Sequence, residues 1–240
     1  MKERSSDKGT ISISFVHEAL VGVRERGINA DELLALAGIS PELLNAPQAR
    51  VSSAHFGALW HLIAQALDDE FFGMDSHPMR VGSFTLLCHA LIHCETLEKA
   101  LRRALRFLRL VLDDLSGTLV RDGDRAYLVI ADRCSAPRRA FAYGTYLIIL
   151  HGLACWLIGR RIPLQEARFR CAEPAFSGEW RVLFSPDLRF DQAETAIVFP
   201  ADYLDMANVQ NERTAKVFLR SAPANFLVKY RNSDGLVARI

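Results

Sequence analysis

The sequence predicts an α+β fold, with a helical N-terminal portion followed by a small mainly antiparallel sheet packed with long helices. Three observations carry that prediction. Apolar residues recur at helical spacing from Ile11 to Leu67 and again across Gly82–Leu112. From Gly117 the period switches to the alternation of paired strands. Ala140 to Gly159 is then a long run without Asp, Glu, Lys or Arg, the composition of a helix buried on all sides.

The first helix is expected over Ile11–Gly27, with Phe15, Leu20 and Val23 on its apolar side and Gly27 just past its end. Asn29 is placed to cap a short helix over Ala30–Ala37, and Ser40-Pro41-Glu42 opens a further helical turn. This passage imitates a helix-turn-helix, yet Pro47 cuts its second half short. Pro41–Pro47 also carries no basic or amide cluster suited to reading base edges, so a compact helical hairpin is expected instead. Ser52 and Ser53 cap an amphipathic helix to Leu67, with Phe56, Leu59, Trp60, Ile63 and Leu67 along one side. Asp68–Gly82 reads as a loop punctuated by Gly73, Pro78 and Gly82, and is the best place for a boundary if the chain has one.

Two helices joined by Cys94-Glu95-Thr96 come next. Thr96 caps the second, whose apolar face is Leu97, Leu101, Ala104, Leu105, Leu108 and Leu112. Thr118–Ala131 forms a hairpin turning at Asp122-Gly123. A buried helix spans Pro137–Arg160, strand-like runs lie at Ala167–Cys171, Leu188–Phe190 and Thr195–Phe199, and helices resume over Asn211–Leu219 and Pro223–Tyr230.

Half of the 240 residues are apolar, enough for a sizeable core, and the net charge of +1 gives no electrostatic push toward nucleic acid or membrane. The five cysteines are odd in number and irregular in spacing, which points to reduced thiols in the cytoplasm rather than a disulfide framework. Residues 1–12 read as a disordered tail without the apolar core of a signal peptide. Although Ala140–Gly159 has the length of a membrane span, arginines flank it on both sides and soluble-type elements surround it; no membrane partner is expected.

Phe71-Phe-Gly, Pro78-Met-Arg-Val-Gly-Ser-Phe, Thr96-Leu-Glu-Lys-Ala-Leu-Arg, the hairpin after Asp114, the Phe141–Trp156 helix and Leu183-Phe-Ser-Pro-Asp-Leu-Arg-Phe occur in an order that resembles the arabinose-binding-type N-terminal domain of AraC-family transcriptional regulators. The similarity runs from about Ile13 to Val209 and rests on structural glycines, prolines and apolar positions rather than a reactive constellation. It implies a small-molecule effector, a homodimer, and contact with DNA only through a C-terminal helix-turn-helix domain toward which the chain's last residues lead. The division implied is an effector-binding and dimerisation domain over 13–209, with a possible helical subdomain over 13–72, and a helical linker over 210–240.

No Gly-x-Ser-x-Gly elbow, phosphate-binding loop, dinucleotide fingerprint or calcium loop occurs, so no enzyme activity, cofactor or metal is expected. His89 and His93 share a helix face at a spacing that can hold a metal, but the His-Glu-x-x-His pattern is absent; pocket-lining or satisfied histidines fit better. His151 stands alone in the apolar helix. It is expected to bond a carbonyl or to join Tyr143 and Tyr146 around an effector's polar group, with haem ligation as the alternative. The candidate ligand-binding set is thus Phe84, Cys88, His89, His93, Tyr143, Tyr146, His151 and Trp156, and the alternative function is a metal- or haem-binding sensor or enzyme using His89, His93 or His151. Arg102, Arg106 and Arg109 form a basic stripe opposite the leucine face, read as a solvated surface paired with Asp113, Asp114 or Glu98, with an interface for a partner domain or an anionic effector as the alternative.

Overall fold

The computed structural model describes residues 9–227. The chain opens with β1 (Thr10–Ser12), which pairs antiparallel with β2 (Arg50–Ser52), Ile11 facing Val51. β1 takes up the last three residues of the stretch expected to be tail, and residues 1–8 lie outside those described. The predicted first helix is two: α1 (Ile13–Ala19), capped by Ser12, and α2 (Val21–Glu25), separated at Leu20. Gly27 takes the left-handed conformation expected past a helix end, with φ of +68°. α3 (Ala30–Leu36) starts at Asn29, whose side-chain oxygen accepts from the Asp31 and Glu32 amides. Beyond α3 the chain makes a 3₁₀ turn over Pro41–Asn45 rather than a helix fit to enter a groove.

α4 (Ser53–Leu67) is capped by Ser52, and its buried side carries Phe56, Leu59, Trp60 and Ile63. α5 (Ser83–Leu91) leads to α6 (Leu97–Val111), which is capped by Thr96. The predicted leucine face of α6 is buried and packs against the sheet. On its outer side Arg102 bonds Glu98 at 2.7 Å, one turn away.

The hairpin pairs β3 (Leu115–Asp122) with β4 (Arg125–Asp132), turning at Gly123 with φ of +55°. α7 (Ala140–Leu157) comes next, then β5 (Glu166–Arg168), α8 (Ser177–Leu183), β6 (Leu188–Arg189) and β7 (Thr195–Pro200). The sheet order is β3-β4-β7-β5-β6, antiparallel throughout except where β5 runs parallel to β6. This is the α+β arrangement the periodicity predicts. α8 and the β1–β2 pair have no counterpart in that reading, because elements this short carry too few periods to register.

α7 is the one helix among the described residues long and apolar enough to cross a membrane, and most of it is buried inside the fold. The chain packs close around it. A Cβ on Gly144 would lie 2.2 Å from the Trp180 ring, so only glycine lets α8 seat its indole there. Phe72 meets Phe141 of α7 with ring centroids 5.4 Å apart and Trp60 of α4 at 4.5 Å, tying the N-terminal helices to the same core. α9 (Glu212–Ser221) and α10 (Ala224–Leu227) close the described chain. α9 begins with a reciprocal capping box between Asn211 and Thr214, and the remainder of the predicted 210–240 linker, from residue 228, lies outside the described residues.

Candidate functional site

Four acids in 68–75 organise the loop between α4 and α5. Asp69 is buried and accepts from the amides of Phe71 (2.8 Å), Gly73 (2.7 Å) and Met79 (2.9 Å). Asp75, also buried, accepts from His77, Asp113, Asp114 and Leu115, which pins the loop to the junction of α6 and β3. Asp68 pairs with Arg80 at 2.6 Å. Glu70 caps α5 with both oxygens: Oε1 accepts from the Gly82 amide at 2.8 Å and Oε2 from the Phe84 amide at 2.7 Å. Burial raises the carboxyl pKa of Asp69 and of Glu70, with the amide donors pulling the other way.

That loop forms one side of a cavity of about 40 Å³. α4 contributes Trp60, His61 and Ala64, the loop Glu70 and Met79, α5 Phe84, α7 Ile149, and the segment between α9 and α10 closes it with Ala222 and Pro223. The Trp60 indole nitrogen donates to the Glu70 carbonyl at 3.1 Å. His61 Nε2 lies 2.7 Å from the Ala222 carbonyl oxygen, so that nitrogen carries the hydrogen and α4 grips the closing segment by it. One turn earlier, Gly57 faces Ala224 so closely that an added Cβ would come within 3.0 Å of it. The lining is apolar apart from Glu70 and His61.

Of the eight residues predicted to bind a ligand, Phe84 lines this cavity. Phe84 also belongs to an aromatic row: its ring is 6.2 Å from Phe218 of α9, which stacks on Trp156 at 4.3 Å with 13° between planes. Trp156 therefore reaches the cavity wall only through α9. Cys88 is buried on α5, its thiol pKa pushed up by burial and by Glu70. His89 and His93 turn away from the cavity and bracket Glu212 at the start of α9, at 3.2 and 3.8 Å. Among the described residues no group of three or more His, Cys, Asp or Glu side chains is set to hold a metal ion.

The aromatic and histidine positions of α7 are engaged elsewhere. Tyr143 donates to Asp132 at 2.6 Å and accepts from the Arg138 amide at 3.0 Å; burial and Asp132 push its phenol up to about 12. Tyr146 rests its hydroxyl against Gly117. His151 Nε2 bonds the Ile162 carbonyl at 3.0 Å, and burial lowers its pKa to about 4, so the ring is neutral. Here the carbonyl-bonded reading of His151 describes its contacts, and the trio with Tyr143 and Tyr146 does not converge on this cavity.

Trp60, His61, Ala64, Glu70, Met79, Ile149, Ala222 and Pro223 escaped sequence reasoning. Trp60 reads as core at helical spacing, and Glu70 reads only as part of the loop over Asp68–Gly82. The available signal was the acid run's position against Phe71-Phe72, where a loop this apolar must be buried.

The chain matches, over residues 27–208, the family described as the N-terminal arabinose-binding domain of AraC transcription regulators. It is similar to the ornithine utilization regulator of Pseudomonas aeruginosa, 26% identical over 238 residues that cover 96% of this chain and 68% of that protein.

Proposed function

The chain belongs to the family of N-terminal domains of AraC transcription regulators, and on that premise we propose that it senses a small effector in the cavity between α4, α5 and α7 and reports occupancy through its C-terminal segment. The observation that carries this reading is the closing wall: Ala222 and Pro223 belong to the stretch that leads out of the domain. A cavity of about 40 Å³ holds about three water-sized groups. A larger ligand extends through the mouth or pushes on that wall, and the second works against the His61–Ala222 hydrogen bond and the Gly57–Ala224 contact. Ligand affinity then differs between two positions of the segment, which is what an effector needs in order to shift an equilibrium.

Residues 13–209 serve as the effector-binding unit, with 210–240 as the connection to a DNA-binding helix-turn-helix domain. The protein works as a cytoplasmic homodimer, regulatory rather than catalytic. The name of the Pseudomonas aeruginosa relative, with its reference to ornithine, makes nitrogen-bearing metabolites a first class to screen.

The test is a thermal-shift screen of this chain and of Ala64→Leu, which fills the cavity from α4. An effector raises the melting temperature of the native protein by mass action and loses that effect in the variant. A ligand that stabilises both proteins equally contradicts this location for the site.

A further inference from the structure

Glu70 lines the cavity, and among the described residues its carboxylate has no salt-bridge partner. Its two oxygens each accept one backbone amide, from Gly82 and Phe84, which leaves lone pairs on both. Among the described residues no Lys or Arg pairs with it; Asp69 and Asp75 of the same loop also have no ion-pair partner there, but they are spent on backbone amides away from the cavity, whereas Glu70 lines it. The basic side chain nearest in effect is His61, and its Nε2 hydrogen is committed to Ala222. A half-buried carboxylate without a counter-charge is costly, and its raised pKa reflects that cost.

Resting on the cavity reading above, we infer that the cavity takes the protonated amine of an aliphatic ligand, with the Glu70 carboxylate as its counter-charge and Trp60, Met79 and Phe84 around its hydrocarbon part. An ammonium group supplies what the site lacks: donors for the free lone pairs and the missing positive charge. The Trp60 and Phe84 rings add faces that attract a cation. Other chemistries fit worse. A carboxylate or phosphate entering here meets Glu70, and no Lys or Arg stands among the described lining residues. A sugar brings several hydroxyls to a wall whose described polar side chains are His61, Glu70 and the Trp60 indole, itself bonded to the Glu70 carbonyl, so most would be buried unpaired. The volume limits the enclosed portion to the ammonium and a short stretch of chain, the remainder reaching the mouth or displacing Ala222 and Pro223.

The probes are n-butylamine, 1-butanol and butyrate, matched in length and different in charge, titrated calorimetrically and by thermal shift at neutral pH. Butylamine is expected to bind and to raise the melting temperature, while butanol and butyrate do neither. Glu70→Gln keeps an acceptor for one of the two α5 amides and removes the charge, and is expected to weaken butylamine by about tenfold or more, the size of a lost charge-assisted contact. If Glu70→Gln fails to fold, Ala64→Leu carries the test, because it removes butylamine binding while leaving Glu70 in place. Failure of butylamine to bind, or binding that Glu70→Gln leaves unchanged, overturns the amine assignment. Butanol or butyrate binding that Ala64→Leu abolishes overturns the assignment but leaves the cavity as the effector site. Butylamine binding that neither variant weakens overturns both.

Discussion

Asp75→Asn replaces one carboxylate oxygen with an amide nitrogen at nearly constant volume, so its effect is electronic rather than steric. Oδ1 accepts from His77 (3.1 Å) and Asp113 (2.8 Å), and Oδ2 from Asp114 (3.0 Å) and Leu115 (3.2 Å). Replacing Oδ1 sets the part-buried His77 and Asp113 amides against an NH₂ that cannot accept; replacing Oδ2 does so to the buried Leu115 amide and to Asp114, which keeps a longer bond of 3.3 Å to Oδ1. At about 1.5 kcal/mol for each hydrogen bond to a charged acceptor, two losses amount to about 3 kcal/mol. For a domain of this size that lowers the melting temperature by about 6–12 °C. Urea denaturation at pH 7.5 reads the change directly, with Asp122→Asn at the exposed hairpin turn as a control that should move stability by about 0.5 kcal/mol or less. A loss below about 1 kcal/mol in Asp75→Asn would refute the claim that this carboxylate holds the cavity-forming loop to α6 and β3.

The packing sets three further outcomes. His151 has a folded pKa of about 4 against an ordinary 6.5, so its contribution is fully present above pH 6.5 and is lost as pH falls toward 4. At pH 5 the proton taken up by the unfolded chain, 1.5 pH units below 6.5 at 1.36 kcal/mol each, costs about 2 kcal/mol. Urea curves at pH 7.5 and 5 should show that loss in the native protein and not in His151→Gln; the difference between the two proteins cancels the opposite slope from the raised carboxyls of Asp69 and Glu70, and equal pH responses would contradict it. Gly144→Ala should destabilise by about 1–3 kcal/mol despite alanine's better helix propensity, because its Cβ would lie 2.2 Å from the Trp180 ring; a more stable variant would show that α8 yields freely. Phe218→Ala should cost about 3 kcal/mol in urea denaturation by removing a buried ring stacked on Trp156, and a cost under 1 kcal/mol would mean that α9 is not anchored there.

The sequence makes the scaffold more legible than the site. Thr96, Ser52 and Asn29 announce their helices because a capping side chain must sit next to the amides it satisfies, so the signal is local. The α6 leucines and the β3–β4 hairpin announce themselves by period for the same reason. The cavity has no such local signature. It draws from α4, a loop, α5, α7 and the α9–α10 junction, so Ala64 and Pro223 become neighbours only once the chain has folded. Tyr143 and His151 show where a single helix leaves the reading open. Polar groups in an apolar helix invite a functional reading, yet Asp132 and the Ile162 carbonyl satisfy them from outside that helix. Glu70 was hidden among acids that serve the loop's own backbone, and what distinguishes it from Asp69 and Asp75 is its place in the cavity wall, which only the fold reveals.

The measurement that tests the central claim most directly is hydrogen exchange of this chain with and without saturating n-butylamine, followed at residues 212–227 and at the β3–β4 hairpin. Occupancy that displaces Ala222 and Pro223 predicts faster exchange across α9 and α10, with the hairpin unchanged as an internal reference. Calorimetrically confirmed binding with unchanged or slower exchange at 212–227 would contradict the claim that the C-terminal segment is pushed aside to report a ligand in the cavity.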